Sequence, residues 1–194
     1  NKHLIARIYL SFTLVLLYVP IFYLIYFSFS SGKNMNKFEH FTFAHYQTLF
    51  QDNRLLAIFL ETILLALLSS LIATIIGTFG AIAISAMKKE AHKNTTLALN
   101  NVLMVSPDVI IGASFLIFFT ALGIGLHFGS VLLSHIAFSI PIVVLMVLPR
   151  LNEMDYSLID AARDLGANSW QVVSHVLIPT IMPGIFSGLF MALT

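Results

Sequence analysis

Five apolar stretches, each close to the ~20 residues that carry a helix across a bilayer, leave this chain few ways to fold. They cover about 6–29, 56–87, 97–122, 130–148 and 179–194. Hydrophobic residues make up 58% of the sequence and charged ones only 10%. A soluble domain of this length has no interior large enough for that apolar surface, so lipid is the main solvent. The expected class is an all-α polytopic membrane protein, here a single transmembrane domain over 1–194. A net charge of +1 offers no basic stripe for nucleic acid. Cysteine is absent, which excludes disulfides, thiolate metal sites and cysteine nucleophiles.

The stretches differ in detail. The first is long enough to span and lacks a small-residue cleavage pattern, so it reads as a retained helix rather than a signal peptide. Pro20 is expected to kink it. The second carries Ser69, Ser70, Gly77 and Gly80, small residues that let a neighbouring helix approach closely. The third is interrupted by Ser106-Pro107-Asp108, and the fourth contains Pro141. Gly184 and Gly188 in the fifth have the spacing of a packing motif that is also common by chance. The sequence starts without Met and stops in an apolar run, which is expected of a chain truncated in its fifth transmembrane helix.

Short basic loops set the expected orientation. Lys88, Lys89 and Lys93 follow the second stretch, and Lys2 and Arg7 begin the first, which puts these segments in the cytoplasm. Parity then places the 30–55 loop outside and the 150–178 loop inside. The outer loop has its own Lys33, Lys37 and Arg54, so the bias is moderate. Its aromatic residues Phe38, Phe41, Phe43, Tyr46 and Phe50 suit a partly ordered segment at the outer interface.

The 150–178 loop is far longer than a turn between spans requires. Leu158, Ile159, Ala162 and Leu165 recur at helical spacing, with Asp155, Asp160, Arg163 and Asp164 on the polar side. Gly166 is expected to end that helix, and Asn168 or Ser169 to cap a second one holding Trp170, Val173, Val176 and Leu177. Pro179 is expected to close the second helix, where a transmembrane helix starts. Either an amphipathic hairpin on lipid headgroups or a protein-docking surface fits this pattern. The nearly balanced charge counts against lipid.

Asp160-Ala161-Ala162, Gly166 and Leu177-Ile178-Pro179 resemble the EAA loop of ABC importer permeases, the coupling helix that inserts into a cleft of the ATPase subunit. The likeness extends along the whole chain, through the Tyr-rich first stretch, Ser106-Pro107-Asp108, Ser134-His135-Ile136 before Pro141, and Ala162 to Ala167. Among such permeases the sequence is most similar to those of polyamine (spermidine/putrescine) importers. The resemblance implies a type I ABC importer permease (MetI-like) fold in a bacterial inner membrane. It implies as partners an ABC ATPase dimer, a second homologous permease, an extracytoplasmic substrate-binding protein and a polyamine substrate. It assigns ATPase coupling to Asp160, Ala161, Ala162, Asp164, Gly166 and Pro179. This sequence departs from the family in having Asp160 where Glu is usual, and in lacking the end of the fifth helix and a sixth. No Walker-type loop is present, since Gly32-Lys33 lacks the upstream glycine and the following Ser or Thr. The chain is therefore expected to be non-catalytic and without a cofactor of its own, with ATP and Mg on the ATPase.

For a substrate path the sharpest residue is Asp108. An aspartate near the bilayer centre costs about 2.5–3.5 kcal/mol on insertion scales, so Asp108 is expected to face the bundle interior or a water-filled path. Its carboxylate either meets a passing amine or, with Ser106, caps the helix broken at Pro107. His135 and Ser139, one turn apart, either line the same path or bond a neighbouring helix. Glu61 sits at a cation-attracting mouth or simply at the interface. Other solutes (iron, sulfate, an amino acid) remain alternatives. An ion-coupled secondary transporter is disfavoured by the absence of an inverted repeat, and a structural scaffold would not need an intramembrane acid.

Overall fold

The computed structural model describes residues 2–32 and 34–194, with side chains from Ala6 onward. Lys33 lies outside the described residues, as does the side chain of Lys2, so their part in the orientation argument stays at the level of sequence. The described residues are almost entirely helical and divide into two compact units, one up to Leu60 and one from Glu61 to Thr194.

The first unit holds α1 (Lys2–Ser28) and α2 (Ala44–Gln51). The 30–55 segment is more ordered than its composition suggested. Ser30 and Phe41 form an antiparallel bridge, and Ser31 N–H donates to the His40 carbonyl at 2.9 Å. The Phe29 ring stacks on Phe41 with centroids 5.4 Å apart and also meets Phe43 and Tyr46. Asp52 accepts from the Arg54 and Leu55 backbone N–H groups and so opens α3 (Asn53–Ser85).

The second unit contains most of α3, then α4 (Glu90–Val105), α5 (Asp108–Ala121), α6 (Phe128–Glu153), α7 (Ser157–Asp164), α8 (Ser169–Val172) and α9 (Ile178–Leu193). The third stretch, expected over 97–122 with a break at Ser106-Pro107-Asp108, is a pair, α4 and α5, bent by 103°. Pro107 has no N–H to donate and forces Ser106 out of the helical region, to ψ 138°. The fourth helix exceeds 130–148 at both ends. His127 and Ser130 form a capping box at its start, and the helix passes through Pro149 to Glu153.

A correction concerns Pro179, which does not close the helix before it. A single helical run extends over Ser169–Leu193, long and apolar enough to cross a membrane. Proline cannot donate to the carbonyl one turn back, and its ring crowds that carbonyl. The backbone accommodates it with a π-helical turn at Val173–Leu177, where Ile178 N–H donates to the Val173 carbonyl. Including this run, four helices among the described residues have spanning length, and the bent α4–α5 pair makes a fifth if counted as one span.

The core of this unit is α6 held between α3 and α9. Val143, Val147, Leu151, Ala81 and Ile181 are buried at its centre. A β-carbon on Gly77 would lie 2.7 Å from the Val143 side chain, and one on Gly188 would lie 3.2 Å from the same residue. At Gly184 it would meet the Met146 carbonyl oxygen at 2.9 Å and the Val147 α-carbon at 3.3 Å. These glycines set helix separations at backbone contact, which is how helices associate where lipid removes the hydrophobic drive. Gly80 is looser, with its nearest neighbour at 3.7 Å. Asn100 ties α4 to α6 by donating to the Pro141 carbonyl at 3.3 Å.

Gly184→Val is expected to overpack the α6–α9 seam by about 1–3 kcal/mol. The melting temperature of the purified subunit should then fall by roughly 2–10 °C, while Gly80→Ala leaves it unchanged. Equal melting temperatures for Gly184→Val and wild type would refute this account of the seam.

Candidate docking surface and membrane polar residues

The α7–α8 hairpin is built by local rules that its sequence spells out. Asp155 accepts from the Ser157 backbone N–H at 2.9 Å and starts α7. At the other end Gly166 adopts φ +86°. Ala167 N–H donates to the Ala162 carbonyl at 3.0 Å and Gly166 N–H to the Arg163 carbonyl at 2.9 Å. That pair of bonds is the Schellman arrangement, and it requires a left-handed residue at the position Gly166 occupies. Asn168 then caps α8. Its side chain accepts from Gln171 N–H at 2.9 Å, and the Gln171 side chain accepts from Asn168 N–H at 2.8 Å.

Packing sorts the hairpin into two faces. Ile159, Ala162, Ala167 and Val173 rest against the core of the unit. Leu158 and Leu165, which share their helical spacing, do not. Leu165 is 90% exposed and Trp170 66% exposed, and Tyr156, just ahead of α7, is also open. Asp160, Ala161, Arg163, Asp164 and Gly166 are exposed on the same element. Among the described residues Asp160, Arg163 and Asp164 have no ion-pair partner; the pair that forms is Arg150–Glu153 at 3.2 Å. Large apolar side chains beside unpaired charges, held on rigidly capped helices, make a surface suited to a protein partner. Pro179 lies apart from this surface, in the first turn of α9.

For the membrane residues the structure narrows the alternatives. Asp108 is the first residue of α5, exposed, and makes no capping hydrogen bond. Within this chain it neither caps the broken helix nor faces an interior. The break is closed by the Pro107 carbonyl, which accepts from Ile110 and Ile111. The Ser106 hydroxyl donates to the Val102 carbonyl of its own helix at 2.8 Å. His135 is exposed and its Nδ1 lies 2.9 Å from the Val131 carbonyl, so it is neither buried nor bonded to a neighbouring helix. Ser139, one turn on, is buried. Glu61 is exposed on α3. No group of three or more His, Cys, Asp or Glu among the described residues is placed to hold a metal ion. Thr74 and Thr78 escaped the sequence reading. Both are buried on α3 among its small residues, and their hydroxyls lack hydrogen-bond partners among the described residues. A hydroxyl in an apolar helix gives no pattern that would mark it beforehand.

With this geometry in view, the comparisons decide the family. Residues 73–194 match the model of the binding-protein-dependent transport system inner membrane components. The chain belongs to that family. The matched region contains the whole of α4 to α9, the α7–α8 hairpin included. The chain is 34% identical to the spermidine/putrescine transport system permease protein PotC of Escherichia coli (strain K12), over 92% of this chain and 67% of that protein. It is 30% identical to PotC of Haemophilus influenzae, over 92% and 69%. The putrescine transport system permease protein PotI of Escherichia coli (strain K12) is also 30% identical, over 92% and 66%.

Hydrogen bonds donated by Ser157, from its backbone N–H first and its hydroxyl second, hold the Asp155 carboxyl below its ordinary pKa. A group whose folded pKa is depressed contributes stability above its unfolded value and loses it as pH falls through the folded one. The start of α7 is therefore expected to be intact above the ordinary aspartate range, about 3.9, and to fray below it. Amide exchange at Ser157 and Leu158 checks this: protection should drop on acidification in wild type and be low at every pH in Asp155→Ala.

Proposed function

We propose that the chain is the membrane permease subunit of an ATP-driven polyamine importer, with α7 and α8 as the surface that receives a separate ATPase. The observation that carries this reading is the unpaired Asp160, Arg163 and Asp164 beside exposed Leu165 and Trp170. The polyamine assignment leans on the names of the PotC and PotI relatives. The basic loop at Lys88, Lys89 and Lys93 favours a cytoplasmic hairpin and N-terminus. A second permease, an ATPase dimer holding ATP and Mg, and an extracytoplasmic binding protein complete the assembly.

In this reading Gly166 shapes the docking turn, Ala162 seats it on the core, Ala161 stays small at the surface, and Asp160 and Asp164 supply charge to the ATPase. The helix that carries Trp170 continues through the π-helical turn and Pro179 into α9, which packs on α6 through Gly184 and Gly188. A push on the hairpin thus reaches the membrane core through continuous backbone. Asp108 offers a carboxylate to the amine cargo at the start of α5, on a surface that the second permease and the translocation cavity share. Glu61 and His135 are weaker candidates for that path, and Ser106 and Ser139 position helices within it.

Two measurements on the complete transporter test this. Trp170→Ala should weaken ATPase association by about 30-fold, or ~2 kcal/mol, as truncation of an interface anchor does; undiminished co-purification of the ATPase would refute the docking role. Asp108→Asn keeps shape and removes charge, so polyamine uptake should fall with assembly intact. Uptake at the wild-type rate would remove Asp108 from the path.

A further inference from the structure

The break between α4 and α5 lies inside the hydrocarbon layer, and α6 gives the measure of its depth. From Phe128 to Pro149 α6 has no Asp, Glu, Lys or Arg, so this is the part that crosses lipid. Pro141 lies within a turn of the middle of that stretch, and Asn100 of α4 donates to its carbonyl. From Asn100 the helix runs on only to Val105, roughly 8 Å at ~1.5 Å per residue. Half of a hydrocarbon core is about 15 Å, so the end of α4 stays within it whatever the tilt of the helix.

A helix that ends there leaves carbonyls with nothing to accept from. Pro107 has no N–H for the Leu103 carbonyl. Among the described residues no backbone bond crosses the break to Met104 or Val105; Ile110 and Ile111 donate to the Pro107 carbonyl instead. The oxygens of Leu103, Met104 and Val105 thus stand open at the negative end of a helix dipole. Met104, Val105 and Asp108 are exposed, and irregular backbone at such depth is tolerated against a water-filled path.

The side chains add further acceptors. Asn100, Ser106, Ser114 and Thr120 bond to backbone carbonyls. Asn101 and Asp108 do not; both are exposed, without a side-chain hydrogen bond among the described residues. Asn101 is one helical turn, about 5–6 Å, back from Val105. Charge points the same way. No lysine or arginine occurs between Lys93 and Arg150, and Asp108 is the one acid there. The positive end of the α5 dipole is met by Asp108 in its own first turn, so the α4 carbonyls are left without a cation.

We infer that this break is an ammonium site. The carbonyls of Leu103, Met104 and Val105 and the Asp108 carboxylate receive one protonated amine of the cargo, and the Asn101 amide oxygen receives the next. The inference rests on the polyamine reading above and goes past it in assigning backbone oxygens and Asn101. A primary ammonium brings three N–H donors, more than one carboxylate oxygen can use and well matched to carbonyls at a helix end. The short methylene chain between the nitrogens of a linear polyamine spans about one helical turn. The site therefore reads N–H donors and their spacing as well as charge.

The test uses the complete complex of both permeases and the ATPase in nanodiscs, with the binding protein left out so that its own affinity does not mask the membrane site. Binding of radiolabelled spermidine is measured by equilibrium dialysis. Wild type should bind saturably. Asn101→Leu should weaken binding about ten-fold, the effect of one hydrogen bond to a charged group. Pro107→Ala gives position 107 an N–H for the Leu103 carbonyl and should weaken binding to a similar degree with no fall in melting temperature. Asn101→Asp should tighten it, which a packing role would not produce. Fully quaternised spermidine keeps the charges without N–H donors and should not compete. Unchanged affinity in either Asn101→Leu or Pro107→Ala, displacement by the quaternised analogue, or no saturable binding by wild type would overturn the site. Uptake with the binding protein restored is read separately. Uptake by wild type beside any of those results removes the site and leaves the transport reading standing, whereas no uptake defeats that reading and the site with it.

Discussion

Everything in the second unit depends on how closely α3 and α9 approach α6. The Val143 side chain is held between Gly77 and Gly188, and Gly184 lies against the backbone of Met146 and Val147. In lipid these contacts carry the load that hydrophobic burial carries in water, because the surrounding acyl chains are as apolar as the side chains they replace. A bundle held by backbone proximity can rock as a body, but its separations cannot widen without losing most of its dispersion contacts.

The same packing carries the α7–α8 hairpin. The hairpin is not a loop hung between spans: α8 runs through a π-helical turn into α9 without a break. Pro179 explains the turn, and the turn explains how one helix serves both a polar surface and an apolar span. Ile159 and Ala162 anchor α7 to the same core, so both limbs of the hairpin are seated on the helix bundle.

Much of this was legible in sequence, wherever a rule acts locally. Gly166 ends α7 because the Schellman turn needs a left-handed residue, and Asn168 with Gln171 writes a capping box. Pro107 breaks its helix because a proline must. The misreadings share a cause. Leu158 and Ile159 are chemically alike and adjacent, yet Ile159 rests on the core and Leu158 is open. His135 was open to bonding a neighbouring helix or lining a path, and its face of α6 is turned away from this chain's interior. Periodicity says that a helix has faces without saying which one a partner covers.

The amino-acid sequence by itself determined the class of this protein, its spans, the capped hairpin and the family, because apolar length, glycine geometry and motif spacing are properties of contiguous residues. Only the tertiary structure decided that the second limb of the hairpin is continuous with α9. It also left Leu165, Trp170 and Arg163 uncovered and placed Asp108 on an open surface. Those outcomes follow from which helix faces meet across α6, and that choice is made by packing between residues far apart in the chain.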